Sequence, residues 1–478
     1  MPVFVYPWNA TCGIDAMKGE NRVSSKIGGS LWRRLGRLTA TVAGITATAL
    51  TVASCGPAAQ ETPPPQPTSA AQGEQGGPTP APPKVEAGWP RWGFTHTGVS
   101  ANNVTPRFEQ IVADSLARTP MLQNQHIMGF GALNPEPYPG RFYWEDLDSR
   151  LTLMKRSGAT PVITLCCAPD WMKGGPQGPT TDSAWDEHLE DAPYPEHFDD
   201  FARLAAEVAK RYDDVKYFMV WNEFKGFWPN HSKPADYKGY TEMYNKVYDA
   251  VKQVRPDAQI GGPYIGFDSN RTGRSELRGD WGVVNQNVLD AFDYWYENKK
   301  GADFIVVDGA SPTDAHQLLP DEFGALSKFA DVTEWLRKKT GDMPIWWSEW
   351  YFQPEDGTEW AEPKRLAVQA ASMIEFARSG AATALYWNPQ DKDGPCQGCL
   401  WDPRTGAETP TGQLVAEFTK WFPAGVRLDP VTSSDPKVRV LAQPERLLLV
   451  NTGDGAVTTT VDGQELTLEP YEIRWSGR

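Results

Sequence analysis

Short apolar runs rich in β-branched and aromatic residues recur along most of the chain, separated by longer stretches in which apolar positions return every three to four residues. The short runs predict buried strands at Trp89–Thr95, Met121–Met128, Thr160–Cys167, Val215–Trp221, Gln259–Tyr264, Ala302–Val307, Met343–Trp347 and Ala382–Trp387. Helical patterns lie between them, among others at Phe198–Tyr212, Tyr237–Val254, Phe323–Lys339 and Pro363–Ser379. Strands that alternate with helices predict a parallel sheet with crossover helices. Eight such units in roughly 330 residues suit an α/β fold of the (β/α)₈ TIM-barrel kind, spanning residues 89–423. An open doubly wound sheet is the alternative. A dinucleotide-binding version of it is disfavoured, because Gly93-Phe94-Thr95-His96 replaces the glycine-rich turn after the first strand.

After Pro423 the texture changes to short alternating runs at Val438–Leu441, Arg446–Val450, Val457–Val461, Glu465–Leu468 and Glu472–Trp475. Turn signals such as Asn451-Thr452-Gly453-Asp454-Gly455 and Asp462-Gly463 separate some of them. Residues 424–478 are expected to form a small β-sandwich-like domain packed on the barrel and completed by residues near the mature N-terminus. So short a segment is marginal as an independent fold.

The N-terminal region reads as targeting sequence. Arg33, Arg34 and Arg37 precede an uncharged stretch from Leu38 to Ser54, and Val52-Ala53-Ser54-Cys55 closes it. A basic region, a short apolar region and small residues before a cysteine describe a bacterial lipoprotein signal over 1–55, with Cys55 as the lipidated residue. The stretch is short and rich in Thr, Ala and Gly for a spanning helix. Met17 is a candidate true start, and the Arg33-Arg34 pair leaves a twin-arginine export route open. Residues 56–88, with Glu61-Thr62-Pro63-Pro64-Pro65, cannot bury enough apolar surface to fold and read as a Pro/Gly-rich tether. The expected location is the cell surface, with the membrane as a partner through the lipid on Cys55.

A formal net charge of −15 argues against nucleic acid, whose phosphates such a surface repels. The 20 Trp alter the picture more, since flat aromatic faces stack on sugar rings as well as filling cores. No nucleotide or metal motif is recognisable, and no cofactor is expected. Cys396-Gln397-Gly398-Cys399 reads as a disulfide clip, there being no second half-site for zinc. Cys166 and Cys167 end the third strand, where alternation predicts that one faces the barrel and the other the helices; their pairing stays open.

Two apolar strands deliver a carboxylate at their C-terminal ends: Val215-Lys216-Tyr217-Phe218-Met219-Val220-Trp221-Asn222-Glu223 and Pro344-Ile345-Trp346-Trp347-Ser348-Glu349. The C-terminal ends of barrel strands face the active site, and a carboxylate there is costly to bury unless it is partnered or functional. These motifs, with Leu385-Tyr386-Trp387 on strand eight and Ala168-Pro169-Asp170-Trp171 after strand three, resemble the clan A retaining glycoside hydrolases, and family 39 in texture. The resemblance implies a general acid/base at Glu223 after strand four and a nucleophile at Glu349 after strand seven. It also implies Asn222 against the sugar 2-hydroxyl and Trp387 beneath the bound sugar. Where several clan members carry His or Tyr on strand six, this chain has Asp308. The expected reaction is double displacement on a poly- or oligosaccharide, with Glu349 ionised and the Glu223 carboxyl pushed upward by burial and by Glu349's charge. His96, Asn124 and His126 near the ends of strands one and two, and Asp308, are candidates for sugar hydroxyls or for structural roles. Trp171, Trp228 and Trp350 are candidates for stacking or for core packing. The competing functions are a sugar-binding lipoprotein serving a transporter and a barrel that binds polysaccharide without cleaving it.

Overall fold

In the computed structural model, which describes residues 92–98, 106–179, 188–228, 235–353, 360–387 and 398–478, each of the eight predicted runs is a strand. All described residues belong to one of the two compact units into which the chain divides. The segments expected as signal (1–55, with Cys55) and tether (56–88), residues 89–91 and Cys396 lie outside the described residues. The strands are β1 (Trp92–Thr95), β2 (Leu122–His126), β3 (Thr160–Leu165), β4 (Tyr217–Val220), β5 (Gln259–Gly266), β6 (Phe304–Ala310), β7 (Ile345–Tyr351) and β8 (Thr383–Trp387). They pair in parallel in chain order, and β1 closes on β8, giving a closed barrel. The helices between and after them are α1 (Pro106–Leu116), α2 (Glu145–Arg156), α3 (Phe198–Arg211), α4 (Tyr237–Val254), α5 (Gln286–Asn298), α6 (Ser327–Thr340), α7 (Glu362–Ser379) and α8 (Pro410–Trp421). This is the (β/α)₈ architecture that the alternation predicts.

The helices form because each presents one apolar stripe to the barrel. In α3, Phe198, Phe201, Leu204, Ala205, Val208 and Ala209 are buried at helical spacing, with Asp199 and Asp200 in the first turn and Lys210 and Arg211 in the last. Those charges complement the helix dipole. The Asp236 side chain caps α4 by accepting from the Gly239 N–H. Inside the barrel, Leu122, Val162, Tyr217, Met219, Tyr264, Phe304, Val306, Trp346 and Leu385 pack into a separate core. On β6 the inward positions run Phe304, Val306, Asp308, so the strand turns from apolar to acidic at its C-terminal end.

Two bulges interrupt the barrel register. Pro263 pairs with Val306 and Ile265 with Val307, so Tyr264 is the extra residue on β5. Trp347 pairs with Val307 and Glu349 with Asp308, so Ser348 is the extra residue on β7. A bulge re-aims the residues that follow it. Here it turns Glu349 inward, beside Asp308.

Three short strands (Ser269–Asn270, Arg278–Gly279, Gly282–Val284) fold over the connection after β5 and had no signature in the pattern. The five C-terminal runs appear as β9 (Val438–Gln443), β10 (Arg446–Asn451), β11 (Val457–Val461), β12 (Gln464–Leu468) and β13 (Ile473–Gly477). They make two small antiparallel sheets, β9–β10–β13 and β11–β12, that share one apolar cluster. Leu441, Leu448 and Val450 join the larger core outside the barrel. Trp475 packs on Phe418 and Trp421 of α8, and Arg439 pairs with Glu375 of α7.

Candidate active site

Glu223 stands just beyond β4, where the chain leaves the barrel in an unusual conformation. Trp221, Glu223 and Phe224 all have positive φ (72°, 49° and 58°), as does Tyr264 (54°). Such values cost a non-glycine residue on the order of 1 kcal/mol or more and persist only where the surroundings enforce them. Here the Trp221 N–H donates to Leu165 O at 3.1 Å, and its indole N–H to Lys225 O at 2.8 Å. The turn brings Glu223 over the barrel mouth, opposite Glu349. One carboxyl oxygen from each of Glu223, Asp308 and Glu349 lies within 4.8 Å of the others, and that spacing would also let a cation sit between them.

Glu349 is almost fully buried, and both of its oxygens are held. The Tyr264 hydroxyl donates to Oε1 at 2.7 Å and the Tyr351 hydroxyl to Oε2 at 2.5 Å. Glu223 Oε2 meets the Lys225 ammonium at 2.5 Å, and Lys225 also pairs with Glu190 at 3.1 Å. Glu190 in turn accepts from the Asn222 amide at 2.5 Å.

The charge pattern departs from the expectation. Burial and the charge of Glu223 push the Glu349 carboxyl up to about 8, against the two tyrosine hydrogen bonds. Burial works to raise Glu223 as well, but Lys225, Asp308 and His126 outweigh it, and the net direction is downward. Burial, with Glu223 and Glu349 alongside, raises Asp308 well above the carboxylate range. The physical reason is Lys225, a neighbour the motif does not announce: it supplies the positive charge beside Glu223 that Glu349 lacks. The three carboxyls therefore share protons near neutrality as a set.

Around this set lie buried polar atoms that make no well-formed hydrogen bond among the described residues, only loose contacts with one another, Asp308 with Glu223 and His126 with Asn222. They are both oxygens of Asp308, both ring nitrogens of His126 and Oδ1 of Asn222. His126 packs at a tilt on Phe130 (4.3 Å) near Asn222 and Glu223, and burial holds its imidazole neutral, with a pKa of about 3. Unpaired buried polar atoms are costly, and their convergence on one spot marks a place for a polar ligand. Trp387 is half-buried at the rim, 6.3 Å from the Tyr351 ring and edge-on to Phe130 at 5.6 Å.

Asn222, Glu223, His126, Asp308, Glu349 and Trp387 are thus brought together. The other candidates lie elsewhere. His96 faces the helix layer, bonded to Gln123 at 3.0 Å and packed on Phe94. Burial, followed by Arg150's charge, lowers its pKa to about 3. Asn124 is inside the barrel but committed to Thr95 and Thr164. Trp350 is buried among Phe329, Phe376 and Tyr386 on the helix side, because the residue after an inward Glu349 must point outward. Trp171 donates to Glu136 O, and Trp228 is buried in the outer core. Cys166 and Cys167 bond to each other. They lie beyond Leu165, the end of β3, so the alternation that would have separated their side chains no longer applies.

Among solved structures, a monomeric β-xylosidase from Caulobacter crescentus CB15 matches 78% of this chain and 75% of its own at 15% identity, with a TM-score of 0.52. A family 39 enzyme from Xanthomonas axonopodis pv. citri matches 79% and 73% at 16% identity (TM-score 0.50). SrfJ from Salmonella typhimurium matches 82% and 89% at 14% identity (TM-score 0.54). The barrel fold is shared. No family model matches the sequence, and no curated protein does.

Sequence reasoning missed Lys225, Glu190, Tyr264 and Tyr351. Two signals were available: Lys225 sits two residues after Glu223, and Tyr351 two after Glu349. Glu190 and Tyr264 reach the site only through the fold.

Proposed function

We propose that the chain is a retaining glycoside hydrolase that cleaves O-glycosidic bonds of a poly- or oligosaccharide by double displacement. The observation that carries this reading is the pair of glutamates at the ends of β4 and β7, with oxygens within 4.8 Å of one another. Retaining enzymes hold their carboxyls about 5–5.5 Å apart, whereas inverting ones leave about 6.5–9.5 Å for a water. Glu349 attacks the anomeric carbon as the bond to the leaving oxygen breaks, and Glu223 gives that oxygen its proton. Water then attacks the glycosyl ester, Glu223 takes the water's proton, and Glu349 leaves. The step needs a proton on Glu223 and none on Glu349. Both belong to one proton-sharing set, so sugar binding has only to move a proton across the cluster. The hydroxyls of Tyr264 and Tyr351 aim the Glu349 carboxylate.

The test is covalent trapping. A panel of aryl 2-deoxy-2-fluoroglycosides should leave one glycosyl adduct on the peptide that carries Glu349. An adduct on another residue, or hydrolysis with inverted anomeric configuration, would sink the proposal; binding without turnover would favour the non-catalytic barrel.

The enzyme is a cell-surface lipoprotein anchored through Cys55, a reading supported by Val52-Ala53-Ser54-Cys55 behind the Arg33–Arg37 basic region. Cys55→Ser should release it from the membrane fraction and abolish lipid labelling. Unchanged fractionation would remove the anchor from the account.

A further inference from the structure

Asp308 is the inward residue near the C-terminal end of β6, paired across the sheet with Gly266 on β5 and with Glu349 on β7. It is fully buried, and most of the groups that face it are acids. Glu223 meets it from beyond β4 and Glu349 from β7, one oxygen of each lying within 4.8 Å of the others. Asp268 comes from the connection after β5: a methyl group on Gly266 would lie 3.1 Å from Asp308 Oδ1 and 3.5 Å from Asp268 Oδ2. The donors nearby are engaged elsewhere. The hydroxyls of Tyr264 and Tyr351 go to Glu349. Lys328 of α6, which feels the charge of Asp308, donates to Ser269 Oγ and Ala310 O. Lys225 pairs with Glu223 and Glu190. Among the described residues neither oxygen of Asp308 receives a well-formed hydrogen bond.

A carboxylate so placed would be buried among carboxylates without a donor, and such a group keeps its proton. Burial first, and then the charge of Glu223, raise Asp308 well above the carboxylate range. A protonated carboxyl has one O–H to give. Its acceptor is Glu223, with which Asp308 is already in loose hydrogen-bond contact. Burial works against a charge on Glu223, but Lys225, 2.5 Å from its Oε2, prevails and keeps it ionised, while burial leaves His126 on the β2 side neutral. Glu349 is not available in the same way, since the tyrosines fill both of its oxygens. An Asp held neutral by its surroundings serves as a donor where an ordinary one would serve as a charge. Loose contacts of this kind tighten when substrate closes a site.

We propose that Asp308 works as a carboxylic acid whose O–H donates to Glu223 and holds the acid/base carboxyl in position. This rests on the glycosidase reading and makes Asp308 a positioning residue within it, acting through Glu223 and offering the sugar no charge. The hydrogen bond favours Glu223 as an anion, the form that takes the proton of the attacking water in the second step.

Three measurements on the full chain test it, and the first needs no substrate. With isotope-labelled aspartate, infrared difference spectra of wild type against Asp308→Asn at neutral pH should show the loss of one protonated carboxyl band. The second uses Asp308→Leu, which copies the shape of the side chain and has nothing to donate, with dinitrophenyl glycosides of the sugar that traps Glu349. Their leaving group departs without a proton, which leaves the second step to limit turnover. Here kcat should fall about tenfold or more, as for a lost hydrogen bond to a charged group. Its acid limb should move up by about one pH unit, because Glu223 without the donor holds its proton more tightly. The third is rescue: Asp308→Asn, which keeps a donor but cannot ionise, should recover most of the lost turnover and bring the acid limb back. An ionised Asp308 in the infrared, a loss in Asp308→Asn as deep as in Asp308→Leu, or an unmoved acid limb in Asp308→Leu would each overturn the inference. If Asp308→Leu does not fold, Asp308→Asn decides against wild type: turnover within about threefold supports the inference and a larger loss overturns it. Any of these failures in a chain whose Glu349 is trapped leaves the glycosidase reading standing. A protonated Asp308 in a chain that neither traps a fluoroglycoside nor cleaves one of these substrates would bring down both.

Discussion

Glu349 shows how a functional side chain can oppose stability. Its carboxyl lies at about 8 in the folded protein, against an ordinary value of 4.5. Between those limits the folded state holds a proton that the unfolded chain has released, so stability falls as pH rises through that window. Asp314, raised to about 7 mainly by burial and then by Asp268, acts in the same direction. Glu349→Gln removes this cost. The variant should melt above the wild type at pH near 8, with the gap closing toward the acid end of the window, as followed by thermal melts across pH. The same variant should lose about three orders of magnitude or more in turnover on any substrate the wild type cleaves. Glu223→Ala should behave differently. Poor leaving groups should suffer far more than activated aryl glycosides, which depart without a proton. Azide should restore turnover and give a glycosyl azide of unchanged anomeric configuration, read by NMR; equal losses on all substrates without rescue would make Glu223 structural. Both glutamates were legible in the sequence because each ends an apolar run. Lys225 was adjacent in plain view, but its effect on Glu223 depends on a side-chain direction that spacing does not encode.

At the scale of elements, the eight strands could be read from apolar runs because each is buried on both faces, which leaves short unbroken signatures. The bulges could not. Whether Ser348 is paired or extra is decided by how many residues the neighbouring strand offers, and β6 is distant in sequence. The candidate site therefore depended on something the pattern did not contain. Strict alternation from the inward Trp346 would have aimed Ser348 at the sugar and Glu349 at α6 and α7. Deleting Ser348 removes the bulge but leaves Glu349 directly after the outward Trp347, so regular alternation still faces it inward; activity should fall yet remain measurable, while far-UV circular dichroism keeps its α/β shape. Complete loss of activity in the folded deletion variant would mean that the bulge sets more than the side of the strand on which Glu349 stands. The same reasoning explains why Trp350, read as a rim aromatic, is a core residue.

For the whole molecule, the C-terminal sheets act as part of the barrel's packing. Trp475 contacts Phe418, Trp421 and Phe422, and Trp92 on β1 donates its indole N–H to Phe422 O at 2.8 Å. The sheets therefore brace the segment to which the first strand is tied. Trp475→Ala should cost roughly 3 kcal/mol, at the lower end for loss of a packed Trp. Barrel and sheets should still unfold in one transition, seen as a single calorimetric peak that shifts down. Two separate transitions would show that the sheets fold independently. The existence of these strands was legible from alternation and turn signals. Their division into a three-stranded and a two-stranded sheet was not, because pairing partners are chosen by packing on α7 and α8.

Closure of the barrel has one more consequence. A closed sheet leaves no strand edge, so the eight pairings of the barrel offer nothing to a neighbouring chain. Every unpaired strand flank of the C-terminal region belongs to β9, β13, β11 or β12. Those strands carry the safeguards expected of exposed flanks: Arg474 on β13, and Lys437 and Arg478 just beyond the ends of β9 and β13. Replacing such charges with apolar residues would leave the catalytic centre intact while inviting edge-to-edge aggregation, a failure that would reduce soluble yield without touching the chemistry.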